Sequence, residues 1–271
     1  MLSYATALFC FYCKLVSRSR KSWYTYSRAT SRRFQSMEIQ ELNALSPLRA
    51  FDQSLNGGLG KGNLGVLVSR HGIGKTACLV HLSTDKLFRN EHVIHVSFSG
   101  NVEHVINWYK EVFRQISEGR SLADAASVYN NLLANRVVMN FSQENVPVEK
   151  VLSSLETLIR QGSFEADAVM FDGYKLTVAS EDDVRKIKQF ALDMRLEVWF
   201  SVSPVRPDVV FDDNGVPNTI FKYKDLIDVL IGLKYNESMD KVIMTLVKNH
   251  SKTDPSPMRV SLDPKTMLIS E

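Results

Sequence analysis

Apolar and polar positions alternate along this chain with two distinct spacings. Residues 64–68, Leu-Gly-Val-Leu-Val, form a continuous apolar run of strand length, and residues 77–87, after a polar break, carry helical spacing. The same exchange repeats. Extended runs are expected at 92–97, 136–141, 168–171 and 196–202, and helices at 102–117, 122–134, 148–160 and 181–194. In the helix expected at 102–117, Val105, Ile106, Tyr109, Val112, Phe113 and Ile116 share one stripe. Ser46-Pro47 marks a further helix start, and residues 56–62, Asn-Gly-Gly-Leu-Gly-Lys-Gly, a glycine-rich turn. After Pro207 the pattern changes. Residues 208–223 read as loop, followed by strand-like runs at 229–235, 242–248, 258–262 and 267–269 separated by hairpin-type turns. The expected fold is therefore α/β, a mostly parallel sheet flanked by helices and extended by C-terminal antiparallel hairpins.

The polar break between the first strand and its helix carries the clearest chemistry. Ser69-Arg70-His71-Gly72-Ile73-Gly74-Lys75-Thr76 sits between strand and helix, the layout of a phosphate-binding loop. Loop amides and the helix N-terminus converge on one point, where the helix dipole favours negative charge. In such a loop Lys75 reaches the β- and γ-phosphates and the Thr76 hydroxyl ligates Mg²⁺. The usual pattern begins with glycine; here Ser69 holds that place. A partner carboxylate is expected at the end of a neighbouring strand, and Asp172, after the apolar residues Ala168-Val169-Met170-Phe171, meets that need as a Mg²⁺ ligand acting through water.

Charge refines this picture. The 271 residues carry a net charge of +3, but residues 1–36 hold seven basic side chains and no acid, leaving 26 basic against 30 acidic in the remainder, a net of −4. A protein that coats nucleic acid would be more basic, so DNA is a disfavoured partner. For residues 1–36 three readings compete: an organellar transit peptide, a basic tail, or upstream codons preceding a true start at Met37, the last being favoured. Residues 37–271 then form one domain. Cys10 and Cys13 lack a second pair for zinc, and Cys78 reads as a small core residue. So few cysteines suggest a reducing compartment, the cytoplasm, or the mitochondrial matrix if the leader is a transit peptide. No run approaches the roughly 18 apolar residues needed to span a bilayer.

The glycine turn with its lead-in (residues 51–62), the loop at 69–76, the spacing to Asp172, and the segments 227–231, 247–250 and 262–266 together resemble the RecA/KaiC group of ATPases, which also contains the DnaB-type hexameric helicases. The resemblance spans roughly residues 46 to 270. It implies a RecA-like P-loop NTPase fold, ATP with Mg²⁺ as ligands, and assembly into a homo-oligomeric ring. It also implies a polar γ-phosphate sensor at Ser203. Two departures stand out. The group places a glutamate just after the second strand to activate water, whereas residues 97–101 are Ser-Phe-Ser-Gly-Asn, with Glu103 on the following helix. The group often has Lys-x-Arg where this chain has Lys248-Asn249-His250, which removes the guanidinium fork.

The expectation is an ATP-binding protein with weak or absent hydrolysis, its nucleotide state regulating assembly or a partner. The rivals are an active ATPase motor on DNA, a scaffold that keeps only the fold, and a small-molecule kinase. The kinase ranks last, because Arg206 is the only arginine between 203 and 225. His81, His92, His95 and His104 read as structural, Trp108 as helix core, and Arg185, Lys186 and Lys188 as a solvated helix face.

Overall fold

The computed structural model describes residues 39–44, 46–118, 125–141, 146–204, 209–252 and 256–271. The leader with Cys10 and Cys13, Met37, and Arg206 lie outside them. A first helix covers residues 39–44 (α1) and is followed by α2 (Leu48–Ser54). Four βα-type units and a fifth strand then follow: β1 (Leu64–Val68), α3 (Lys75–Phe88), β2 (Val93–Ser97), α4 (Val102–Glu118), α5 (Ala125–Leu133), β3 (Arg136–Asn140), α6 (Val148–Glu156), β4 (Ala168–Asp172), α7 (Glu181–Met194) and β5 (Glu197–Val202). The chain ends in β6 (Val229–Tyr235), β7 (Val242–Asn249), β8 (Ser256–Leu262) and β9 (Ile269–Ser270).

These strands form one nine-stranded sheet in the order β3-β2-β4-β5-β1-β6-β7-β8-β9. The pairings from β3 across to β6 are parallel, and those from β6 to β9 antiparallel. The α/β expectation and the antiparallel C-terminal extension are thus both observed. Several boundaries differ: the strand expected at 258–262 begins at Ser256, and the one expected at 267–269 is Ile269–Ser270. Residues 157–161 wind into a π-helical turn that continues α6, and residues 218–223, expected as loop, form a 3₁₀ helix.

Strand composition follows from position. β1, β2 and β4 are buried along their whole length, as parallel strands covered on both faces must be. Their side chains divide by alternation. Val66 and Val68 pack with Val184, Ile187 and Ala191 of α7, while Leu67 packs with Leu79 of α3 and Val105 of α4. Gly65, in the middle of β1, is explained by close approach: a Cβ there would lie 2.5 Å from Cε3 of Trp199. α7 begins with a capping box, in which Ser180 accepts from the Asp183 amide and the Asp183 carboxylate accepts from the Ser180 amide. Among the described residues no helix is long and apolar enough to cross a membrane.

The topology places the site. β1 lies between β5 and β6, and the α3 connection passes over β5 and β4 to reach β2. Register then aligns Ser97, Asp172, Ser201 and Leu67 across β2, β4, β5 and β1, all at carboxyl ends of parallel strands. Open α/β sheets form their ligand crevices at such an edge.

Candidate functional site

Val68 ends β1, and the Ser69 amide still donates to Val202 O at 3.2 Å, so the chain leaves the sheet only after residue 69. Gly72 and Gly74 both take positive φ, at 79° and 104°, conformations that a side chain at either position would strain. Gly74 is also wedged under the C-terminal strands: a Cβ there would lie 2.6 Å from Leu262 Cδ2 and 3.3 Å from Met267 Sδ. It is the N-cap of α3 and supplies no side-chain cap, so the first-turn amides of a 14-residue helix are directed at the loop.

Lys75 opens α3 and folds back beneath the loop. Its Nζ donates to Arg70 O at 2.7 Å, Ser69 Oγ at 2.9 Å and Ser69 O at 3.3 Å. Burial lowers its pKa to about 8, although the nearby Asp172 carboxylate and Cys78 oppose the shift. Burial likewise pushes the Cys78 thiol up to about 12, consistent with an inert core residue.

Thr76 Oγ1 donates to both carboxylate oxygens of Asp172, at 3.0 and 3.2 Å. Ser201 Oγ also donates to Asp172 Oδ1 and accepts from the Gly173 amide at 3.0 Å. His95, fully buried, puts Nε2 3.9 Å from Asp172 Oδ2, while its Nδ1 pairs with the Tyr109 hydroxyl at 3.1 Å. That separation is too long for a hydrogen bond, and His95 Nε2 has no hydrogen-bond partner among the described residues. Burial alone would raise the Asp172 pKa. His95, Ser201 and Thr76 outweigh it and hold the carboxyl below its ordinary range.

A cleft of about 620 Å³ opens over this group. His71, Gly72, Gly74, Lys75, Thr76, Asp172 and Ser203 all line it, and His71 Nε2 lies 3.3 Å from Pro204 O. Ser69, Arg70 and Ile73 do not. The Ser69 side chain is buried beneath the loop, and the Arg70 guanidinium stacks over Phe211 at 4.9 Å. Arg70 and Ile73 line a separate cleft beside residues 211–215. Of the loop residues counted as nucleotide-binding, Arg70 and Ile73 thus line the second cleft and not the one over Asp172.

Three further sequence readings change, those of Trp108, His104 and Lys188, and the structure also places Lys248 and Glu103. Trp108 and His104 both line the cleft, with Trp108 Nε1 donating to His104 Nε2 at 3.0 Å. Trp108 is only half-buried, and His104 is exposed, so neither is simply core. Lys188 is no solvated residue: its Nζ donates to Gly62 O at 2.8 Å, Asn63 Oδ1 at 3.1 Å and Asp228 Oδ2 at 2.7 Å, tying the glycine turn to β6. Lys248 donates to the carbonyls of Lys224 and Ile227 and so caps a turn. Glu103 is exposed on the first turn of α4 and does not line the cleft.

Among the described residues no group of three or more His, Cys, Asp or Glu is placed to hold a metal. The Thr76 hydroxyl and Asp172 carboxylate supply only hard oxygen donors, a set that fits Mg²⁺, which keeps several waters and takes its other ligands from phosphate. No protein-family model and no curated protein matches the chain.

Proposed function

We propose that this chain is a divergent RecA/KaiC-like P-loop protein that binds Mg-ATP at the loop of residues 69–76, hydrolyses it weakly or not at all, and uses nucleotide state to control assembly or a partner. The observation that carries the reading is the juxtaposition, at one sheet edge, of an uncapped helix N-terminus, the Lys75 ammonium and the 3.0 Å Thr76–Asp172 pair. Amides and ammonium would hold the triphosphate, and Thr76 with Asp172 would hold Mg²⁺, which neutralises phosphate charge when bound.

Weak hydrolysis follows from the lining. Asp172 is the only carboxylate among the described residues of the cleft, and its oxygens are engaged by Thr76 and Ser201. His104 is no substitute base. Its Nε2 lone pair accepts from Trp108, so the neutral ring presents Nδ1 as a donor. Lys248 is tied to two carbonyls and offers no fork to a neighbouring subunit. Loss of a water-activating group costs about 10²–10⁴ in rate but leaves phosphate contacts in place.

Thermal unfolding with and without Mg-ATP, together with phosphate release and size-exclusion chromatography, tests the proposal. Stabilisation by millimolar Mg-ATP with phosphate release near background is expected. No stabilisation would refute nucleotide binding, and turnover at the rate of active motors would refute the weak-hydrolysis part.

A further inference from the structure

We propose that Ser69 is a latch on Lys75: its hydroxyl helps hold the ammonium against the loop's own acceptors and so restrains its engagement of a phosphate. The binding half of this inference rests on the nucleotide reading above. Ser69 Oγ donates to Arg70 O at 2.9 Å and accepts from Lys75 Nζ at 2.9 Å. The other acceptors of Nζ are Arg70 O at 2.7 Å and Ser69 O at 3.3 Å. A lysine ammonium has three protons and accepts nothing. All three are therefore engaged inside the loop, and a phosphate oxygen has to displace at least one.

Two of those acceptors are backbone carbonyls that any sequence provides. The third exists only because a hydroxyl stands where the phosphate-loop pattern has glycine. Ser69 is fully buried, so no solvent competes for its hydroxyl. Its own proton is directed to Arg70 O, which leaves its lone pairs free for Nζ. The chain Lys75 Nζ to Ser69 Oγ to Arg70 O is thus a closed donor-acceptor path, and the Ser69 side chain is its one removable link.

Variants S69A, S69G and S69T of the full chain test this. The first readout is the acetylation rate of Lys75 by an N-hydroxysuccinimide ester at fixed pH, measured by peptide mass spectrometry against the exposed Lys265. The second is Mg-ATP affinity by calorimetry. With the link removed, S69A and S69G should acetylate Lys75 and bind Mg-ATP more readily, each by about tenfold, the scale of one hydrogen bond to a charged group. S69T, which keeps the hydroxyl, should match the parent. Unchanged or slower acetylation in S69A and S69G overturns the latch whatever the nucleotide does, and faster acetylation with weaker Mg-ATP binding overturns it as well. Faster acetylation in a protein that binds no Mg-ATP in any form supports the latch and refutes the nucleotide reading.

Discussion

Thr76 Oγ1 and Asp172 Oδ1 meet at 3.0 Å although 96 positions separate them along the chain. One residue opens a helix, the other closes a strand, and the sheet register brings the two edges together. D172N keeps the shape and an acceptor for Thr76 and Ser201, so its unliganded stability should change little. Magnesium-dependent binding should suffer instead. At a nucleotide concentration 100 times Kd the parent gains about 2.7 kcal/mol. D172N should lose most of that gain, with affinity for Mg-ATP falling roughly 10–100-fold, as for other disrupted metal sites. Thermal shift across a magnesium titration reads this directly, and an unaltered magnesium dependence would remove Asp172 from the metal role.

The buried Lys75 gives a pH signature of two opposite slopes. Its pKa is lowered by burial to about 8 from an ordinary 10.5. Between these values the unfolded chain holds a proton that the folded chain has released, so this group's contribution makes folding more favourable as pH rises. The cost of burying the charge is present in full below pH 8, and about 3 kcal/mol of it is relieved by pH 10.5. Nucleotide affinity runs the other way and should weaken as pH climbs past 8, because the neutral amine no longer attracts phosphate. Urea midpoints and calorimetric affinities over the same pH series should therefore diverge, and K75M should flatten both trends.

Gly65 and Trp199 are fitted to one another. G65A drives a methyl into the indole, at 2.5 Å from Cε3, and should destabilise the protein by about 1–3 kcal/mol through overpacking. The double variant G65A/W199L should recover part of that loss in urea unfolding. Strict additivity of the two single effects would argue that the contact carries no strain.

Asp85 is 1% exposed and receives the guanidinium groups of both Arg49 and Arg89, the latter also held by Asp52 at 2.7 Å. D85A leaves two cations facing a buried gap. Removing one partner of a buried ionic cluster typically costs about 3–5 kcal/mol, and a loss of that size is expected at neutral pH. Chemical denaturation measures it; a change under about 1 kcal/mol would mean that solvent reaches the cluster freely.

Strand and helix positions were readable because buried parallel strands are uninterrupted apolar runs and α4 buries Val105, Tyr109, Val112 and Phe113 at helical spacing. The loop and Asp172 were readable because each depends on local context: strand before, turn after. What escaped depends on distant neighbours. Lys188 sits among acids and bases on a polar helix face, and nothing local reveals that this face meets Asn63, 125 positions away. Trp108 lies at the margin of the α4 stripe, where spacing alone does not separate core from cleft wall. Arg70 was placed by its rank in the motif, but its direction is set by Phe211 on a segment far along the chain.

The wedge of Leu262 and Met267 against Gly74 has a mechanical result. The Ile269 amide donates to His81 Nδ1 at 3.0 Å, so the last strand is fastened to the same helix that the loop launches. The last two strands therefore work as a brace on the loop of residues 69–76 and its cleft. A tag fused at the C-terminus, a protease nick near residue 265, or a protein docking on the final hairpin would be felt at the mouth of the cleft without touching it.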